Sequence, residues 1–202
     1  MIPKTIVQFW HDKNPPIEML ELTSSWHVVN PGYGYTLFSY DSAREFIYSN
    51  YGERELRVFD SAKFPAMMSD IFRVAYCYAS GGVYVDAGTM AVKCLDSLLQ
   101  KNNDLLLMRK WHGAVWNGFI VSRKGSHSLG VVWEKIIANV ENRVSENIWS
   151  LTGPGVFTDT DLSDASIIDQ LSLKEYFDIV NDLQHKKEAH WSNLQKGTSI
   201  YR

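Results

Sequence analysis

Residues 65–86 read PAMMSDIFRVAYCYASGGVYVD, from Pro65 to Asp86. Phe64, Met67, Met68, Ile71, Ala75 and Tyr78 recur at three- and four-residue spacing, which lines them along one face of an α-helix running to Ser80. Pro65 opens that helix, because proline lacks only an N–H that the first turn leaves unpaired anyway. Gly81-Gly82 stops it. Val83-Tyr84-Val85 then reads as a short strand that delivers Asp86 at its carboxyl end. In open sheets built from such helix–strand units, ligands collect beyond the carboxyl ends of the strands.

The flanking sequence extends the alternation. Thr5 to Trp10 (TIVQFW) is rich in β-formers and nearly all apolar, as a buried parallel strand requires. Asn14-Pro15-Pro16 breaks it, and Ile17 to His27 follows as a helix opened by proline and closed by Asn30-Pro31-Gly32. Tyr35 to Tyr40 is a second strand, and Asp41 caps a helix that reaches about Tyr51 and stops at Gly52. Beyond Asp86, strands are expected at Leu105–Met108, Trp116–Val121 and Phe177–Val180. A helix runs from Ser126 to about Asn142, and Thr152–Gly155 is a glycine loop. The pattern predicts an α/β protein with a single Rossmann-like, mostly parallel sheet flanked by helices. With 202 residues, no internal repeat and no linker, one domain over 1–202 is the expected count.

Composition removes whole classes of function. Lys plus Arg is 20 against 23 Asp plus Glu, a net charge of −3, whereas a nucleic-acid binder needs a strongly basic face. Aromatic residues make up 13%, which argues against disorder and leaves flat rings for stacking on bases or sugars. No apolar run approaches the roughly 20 residues of a membrane span. The opening MIPKTIVQFWHDK lacks the order of a leader. The expectation is a cytoplasmic protein, with peripheral contact at a membrane still compatible. Cys77 and Cys94 are not spaced as metal ligands and read as buried, reduced thiols.

Asp70 and Arg73 stand three residues apart and are helix neighbours. Alone they would be a surface ion pair worth about 0.3–0.5 kcal/mol. Set one helix-end before Gly81-Gly82 and Asp86, they bring two carboxylates and a guanidinium together. Such a set can grip sugar hydroxyls through charge-assisted hydrogen bonds. On that reading Asp70→Asn and Arg73→Lys lower turnover and leave the melting temperature nearly unchanged.

At this point the sequence resembles a known group, the DXD-type sugar transferases related to yeast initiating mannosyltransferases and to bacterial capsular polysaccharide synthesis proteins. The clostridial toxin glucosyltransferase domains look like distant relatives. The resemblance is carried by IPKTIVQFW, by SSWHVVNPGYGYTLFSYD, and by SDIFRVAYCYASGGVYVD, which matches an SDxxR…GGxYxD core. NGFIVSRKGSH, TGPGVFT and AHWS follow in the same order. The set covers most of the chain and is specific to the family, not to one sugar.

The resemblance implies a GT-A fold and a retaining transfer from a UDP- or GDP-linked sugar to a saccharide or lipid-linked saccharide. It implies that Asp70 and Arg73 bind the donor sugar and that Trp10 stacks on the base. Asp86 would contact the ribose or a metal-bound diphosphate, and His190 would reach the metal. Asn117 and Gly118 would lie toward the acceptor, and the loop that holds Gly153 is itself a candidate lining of the acceptor groove. Apart from the resemblance, Lys196 and Arg202 are the basic candidates of the closing tail that would fold over the diphosphate if no metal binds. The chain departs from the pattern at Gly88, where the family's second DXD carboxylate falls. A Mn²⁺ or Mg²⁺ cofactor would then depend on diphosphate and water for most of its shell.

Each of these residues has a plainer role. Trp10 can be core, Asn117-Gly118 a tight turn, and Thr152-Gly153-Pro154 a structural loop. His190 can be a surface histidine, and the tail lysines a solvated face. Two other functions stand beside glycosyl transfer. Gly88 motivates a non-catalytic sugar-nucleotide binder or assembly partner. A Rossmann oxidoreductase would need a G-x-G-x-x-G after the first strand, and none is present.

Overall fold

The computed structural model describes residues 1–100, 104–183, 195 and 197–202. The chain opens with β1 (Thr5–Phe9), α1 (Ile17–Val29), β2 (Gly34–Phe38), α2 (Tyr40–Tyr51), α3 (Glu53–Ser61) and α4 (Pro65–Ser80). Next come β3 (Gly82–Val85), β4 (Thr89–Ala91), α5 (Asp96–Leu99), β5 (Leu105–Arg109) and β6 (Val115–Ser122). The remainder is α6 (His127–Glu141), α7 (Ile148–Leu151), α8 (Pro154–Thr158), β7 (Ala165–Asp169), α9 (Gln170–Leu173) and β8 (Phe177–Ile179).

Six strands form the central sheet in the order β2-β1-β3-β6-β5-β7. Only β6 runs against its neighbours. Alternate residues of each strand feed two cores, as period 2 demands. Val7, Tyr84, Leu107 and Ile120 face a core shared with α2, α3, α4 and α6. Ile6, Val83, Val85, Leu106 and Phe119 face a second core closed by Trp26 of α1, by Leu98 of α5 and by Phe177.

Helix α4 is the central helix of the first layer. It is buried nearly all round from Met67 to Ala75, not along one stripe, and Tyr78 sits only half-buried near its end. The Gly81-Gly82 junction is sterically compelled. Both residues have positive φ, and a Cβ would fall 2.6 Å from the Lys124 nitrogen at Gly81 and 2.3 Å from Thr5 Oγ1 at Gly82. Only glycine lets α4 turn this tightly into β3.

Several expectations need correction. The cap of α2 is Ser39, paired reciprocally with Ser42 in a capping box, while Asp41 lies in the first turn and pairs with Lys13 at 2.6 Å. Ser126 precedes α6 but makes no capping bond, and its buried hydroxyl has no partner among the described residues. Phe177–Ile179 joins β4 in a separate two-stranded sheet, not the main one. Thr152–Gly155 is the junction of two short helices. Asn117-Gly118 is not a turn. It lies inside β6, where the β5 register jumps from Leu107↔Ile120 to Met108↔Trp116. Residues 117–119 thus bulge away from β5, and bulges re-aim side chains. Cys77 is buried as expected, Cys94 half-buried, and both are free.

Candidate active site

A cleft of about 850 Å³ opens beyond the carboxyl ends of β1 and β3, within the size range of small-ligand sites. Its lining includes Trp10, Asp70, Arg73, Asp86, Lys110 and Trp149.

Asp70 and Arg73 are not a surface pair, being only 6% and 5% exposed. Arg73 Nη2 lies 3.3 Å from Asp70 Oδ1 and 3.0 Å from Asp86 Oδ1. The same guanidinium donates to the Ser69 carbonyl at 3.0 Å and to Ser69 Oγ at 2.7 Å. Tyr84 donates its hydroxyl to Asp86 Oδ1 at 2.9 Å, so Ser69 must be the donor in its 2.7 Å bond to Tyr84. Arg73, Ser69, Tyr84 and Asp86 therefore form one closed polar network, with the guanidinium 4.9 Å from the Tyr84 ring centre.

Asp70 is held from two distant segments. Asn117 Nδ2 donates to its Oδ1 at 2.9 Å, and Thr152 Oγ1 to its Oδ2 at 3.2 Å. Burial pushes the Asp70 carboxyl up to about 6, against the pull of Arg73 and of these two hydrogen bonds. For Arg73 burial opposes the charge, but Asp86 leads the groups that hold its pKa above the ordinary value. A carboxylate has about four acceptor positions, so Asp70 retains capacity for a ligand hydroxyl.

Asp86 is fixed through its backbone. Its N–H donates to the Gly118 carbonyl at 2.9 Å, and its carbonyl accepts from Gln8 at 3.2 Å and Thr89 at 2.6 Å. Gly118 is required by this approach, since a Cβ there would lie 2.3 Å from Asp86 Oδ2 and 2.3 Å from Trp116 Cζ2. Trp10 is half-buried at the end of β1. It packs partly on the small core of Met19, Leu22 and Ala87, and its ring centre is 5.3 Å from that of His11. Gly153 caps α8, and a Cβ there would press within 3.0 Å of the Trp149 backbone.

Asp70, Arg73, Asp86, Trp10 and Asn117 thus converge on one cleft, with Gly118 behind Asp86. His190 and Lys196 lie outside the described residues. Arg202 is not in the cleft lining. Its guanidinium donates to Tyr40 Oη at 2.8 Å, and its backbone donates to Ser61. Sequence reasoning gave no site role to Tyr84, Lys110 or Trp116, and read Ser69 only within the SDxxR run and Thr152 only within a loop that is structural or lines the acceptor groove. Tyr84 carried a readable signal, lying two residues before Asp86 and so on the same strand face. Thr152 lies 82 residues from Asp70, and nothing in the glycine loop that it opens pointed to that contact.

The described residues do not complete a divalent-cation site. Asp86 Oδ1 is already engaged by Arg73 and Tyr84, Gly88 offers no side chain, and no group of three His, Cys, Asp or Glu among the described residues comes close enough to hold an ion.

Residues 6–105 match a family model described as a glycosyltransferase sugar-binding region containing a DXD motif. The chain belongs to the DXD-type glycosyltransferases. It is 21% identical over 195 residues to an initiation-specific α-1,6-mannosyltransferase of Schizosaccharomyces pombe, covering 78% of this chain and 47% of that one. It is 33% identical over 98 residues to inositol phosphoceramide mannosyltransferase 3 of the same yeast, covering 48% and 27%. The chain therefore spans about half or less of the length of these relatives. Among solved structures, the PaToxG glycosyltransferase superposes with a TM-score of 0.63 at 20% identity, covering 78% of this chain and 68% of that one. The UDP-bound glycosyltransferase domain of the YGT toxin gives 0.54 at 9% identity, covering 78% and 66%. These likenesses make the fold of this DXD-type glycosyltransferase GT-A. No helix among the described residues is long and apolar enough to cross a membrane.

Proposed function

We propose that this chain is a retaining glycosyltransferase, one domain over 1–202, that moves a hexose from a UDP- or GDP-linked donor to a saccharide or lipid-linked saccharide. The observation that carries the reading is the Asp70–Arg73–Asp86 set, with Asp70 and Arg73 buried and Asp86 half-buried, opening onto a cleft of about 850 Å³ at the carboxyl end of β3. The mannosyltransferase names of the yeast relatives support a hexosyl donor.

Asp70 accepts hydrogen bonds from the donor sugar's hydroxyls. Arg73 keeps both carboxylates in register, and Trp10 offers its open face to the base. Asn117 touches Asp70 and Gly118 backs Asp86, so both belong to the donor side. Gly153, beneath Trp149, remains on the acceptor side. In the reaction the bond from the anomeric carbon to the β-phosphate oxygen breaks, and its electron pair stays on the diphosphate. The acceptor oxygen bonds to the same face of that carbon and gives its proton to the departing phosphate. No separate general base is needed, and catalysis is positioning plus electrostatics. A divalent cation, Mn²⁺ or Mg²⁺, is part of the family pattern, and Asp86 would be its side-chain ligand here. The same proposal places the protein in the cytoplasm, peripheral to a membrane where the acceptor is lipid-linked, in synthesis of a surface polysaccharide such as a capsule.

The test is a panel of UDP- and GDP-hexoses incubated with the purified protein. Release of nucleoside diphosphate from one donor supports the reading. Tight donor binding with neither hydrolysis nor transfer to any acceptor would make the protein a sugar-nucleotide binder instead.

A further inference from the structure

Lys110 ends the β5 side of the β5–β6 hairpin. The hairpin is pinned by two backbone bonds, Lys110 N–H to the Ala114 carbonyl at 3.0 Å and Gly113 N–H to the Lys110 carbonyl at 2.9 Å. The side chain is half-buried, lines the cleft, and puts Nζ 5.2 Å from the centre of the Trp116 ring. Trp116 and Asp86 Oδ2 both press on Gly118, each 2.3 Å from where its Cβ would be. Lys110 and Asp86 therefore both neighbour the Trp116 ring. Arg73, the other strong cation of the lining, spends its guanidinium on Ser69, Asp70 and Asp86. Lys110 Nζ has no ion pair or hydrogen bond among the described residues.

A half-buried ammonium held against an aromatic ring, with Asp86 nearby but not ion-paired or hydrogen-bonded to it, is free to take an anion in the cleft. The chain supplies no carboxylate at Gly88, so the charge balance here is more positive than a DXD pair would leave it. We infer that Lys110 binds the diphosphate of the nucleotide and holds the negative charge that develops on it as the sugar leaves. This rests on the proposed glycosyl transfer, because a diphosphate is in the cleft only if a nucleotide sugar is. It replaces Arg202, which is docked elsewhere, as the basic side chain on the phosphates.

The experiment compares affinity for UDP, GDP and the matching monophosphates by calorimetry, in EDTA and again in Mn²⁺. The proteins are wild type, Lys110→Met and Lys110→Arg. Methionine keeps an unbranched apolar side chain and removes the charge, and unchanged melting temperatures establish that the variants are folded. A charge-assisted contact of this kind corresponds to about a 10- to 100-fold change in affinity. Lys110→Met is expected to lose that much for the diphosphate and less for the monophosphate in both buffers, with Lys110→Arg recovering most of it. Wild type that binds a diphosphate while Lys110→Met binds it equally well overturns the inference and leaves glycosyl transfer standing. Wild type that binds neither diphosphate in either buffer overturns both.

Discussion

Gly118→Ala is the smallest change that strikes the site without removing any of its functional groups. The added Cβ would sit 2.3 Å from Asp86 Oδ2 and from Trp116 Cζ2, about 1 Å inside an ordinary 3.4 Å contact. The backbone cannot easily retreat, because the Gly118 carbonyl already accepts from Asp86 N–H at 2.9 Å. The Asp86 carboxylate must then move by about 1 Å. That carries Oδ1 away from Arg73 at 3.0 Å and Tyr84 at 2.9 Å, to or beyond the distance at which a hydrogen bond survives. Overpacking of this kind costs about 1–3 kcal/mol, or roughly 2–12 °C in melting temperature for a chain of this size. Donor hydrolysis should fall at least tenfold, because Asp86 and the Trp116 ring under Lys110 are displaced together. The assay is donor hydrolysis beside a thermal melt. An alanine variant with wild-type turnover and an unchanged melt would refute the claim that Asp86 is held in its working position by its approach to residue 118.

The other predictions concern the charged network and the base. Asp70→Asn should remove most turnover, and wild-type turnover should rise with pH through about 6 as the buried Asp70 ionises. Because the folded pKa is raised, Asp70's contribution to stability is fully present below about 4 and lost as pH rises through about 6. On the order of 3 kcal/mol changes over that window, so the Asn variant's deficit relative to wild type should shrink across it in melts at stepped pH; a constant deficit would deny the buried, raised carboxyl. Arg73→Lys should lower both turnover and melting temperature, since lysine cannot reproduce the fork shared among Ser69, Asp70 and Asp86; an unchanged melt would restore the expectation drawn from sequence. Trp10→Ala should weaken nucleotide binding by about 1–3 kcal/mol, roughly 5- to 150-fold, with Trp10→Phe recovering part. Equal affinity in a folded Trp10→Ala protein would return Trp10 to the core.

The parts of the fold legible in the sequence were those with a strong local pattern. Helix α4 was bounded by Pro65 and Gly81-Gly82, and β1 and β5 by dense apolar runs. Helix α3 was missed because Glu53–Ser61 (ERELRVFDS) buries only Val58 and Phe59 and looks solvated. Strand β7 was missed because Ala165–Asp169 is a short edge strand with no fully buried residue. The Asn-Gly pair at 117–118 gave a true signal of irregular backbone but the wrong form of it, a bulge instead of a turn. At the site, Asp70, Arg73 and Asp86 could be found together because one helix and one strand carry all three. Thr152 reaches Asp70, and Lys110 the cleft, only through long-range packing, which local sequence does not encode. The near-unchanged stability expected for Arg73→Lys gives way for the same reason, since spacing alone cannot show that an ion pair is buried.

The most direct test of the central claim is NMR observation of a panel of α-linked UDP- and GDP-hexoses with the purified protein, with Asp86→Ala as control. Cleavage of one donor that releases nucleoside diphosphate and the α-anomer first, and that the control lacks, is the expected result. A folded wild-type protein that leaves every donor intact, or that releases the β-anomer first, would contradict retaining glycosyl transfer at this site.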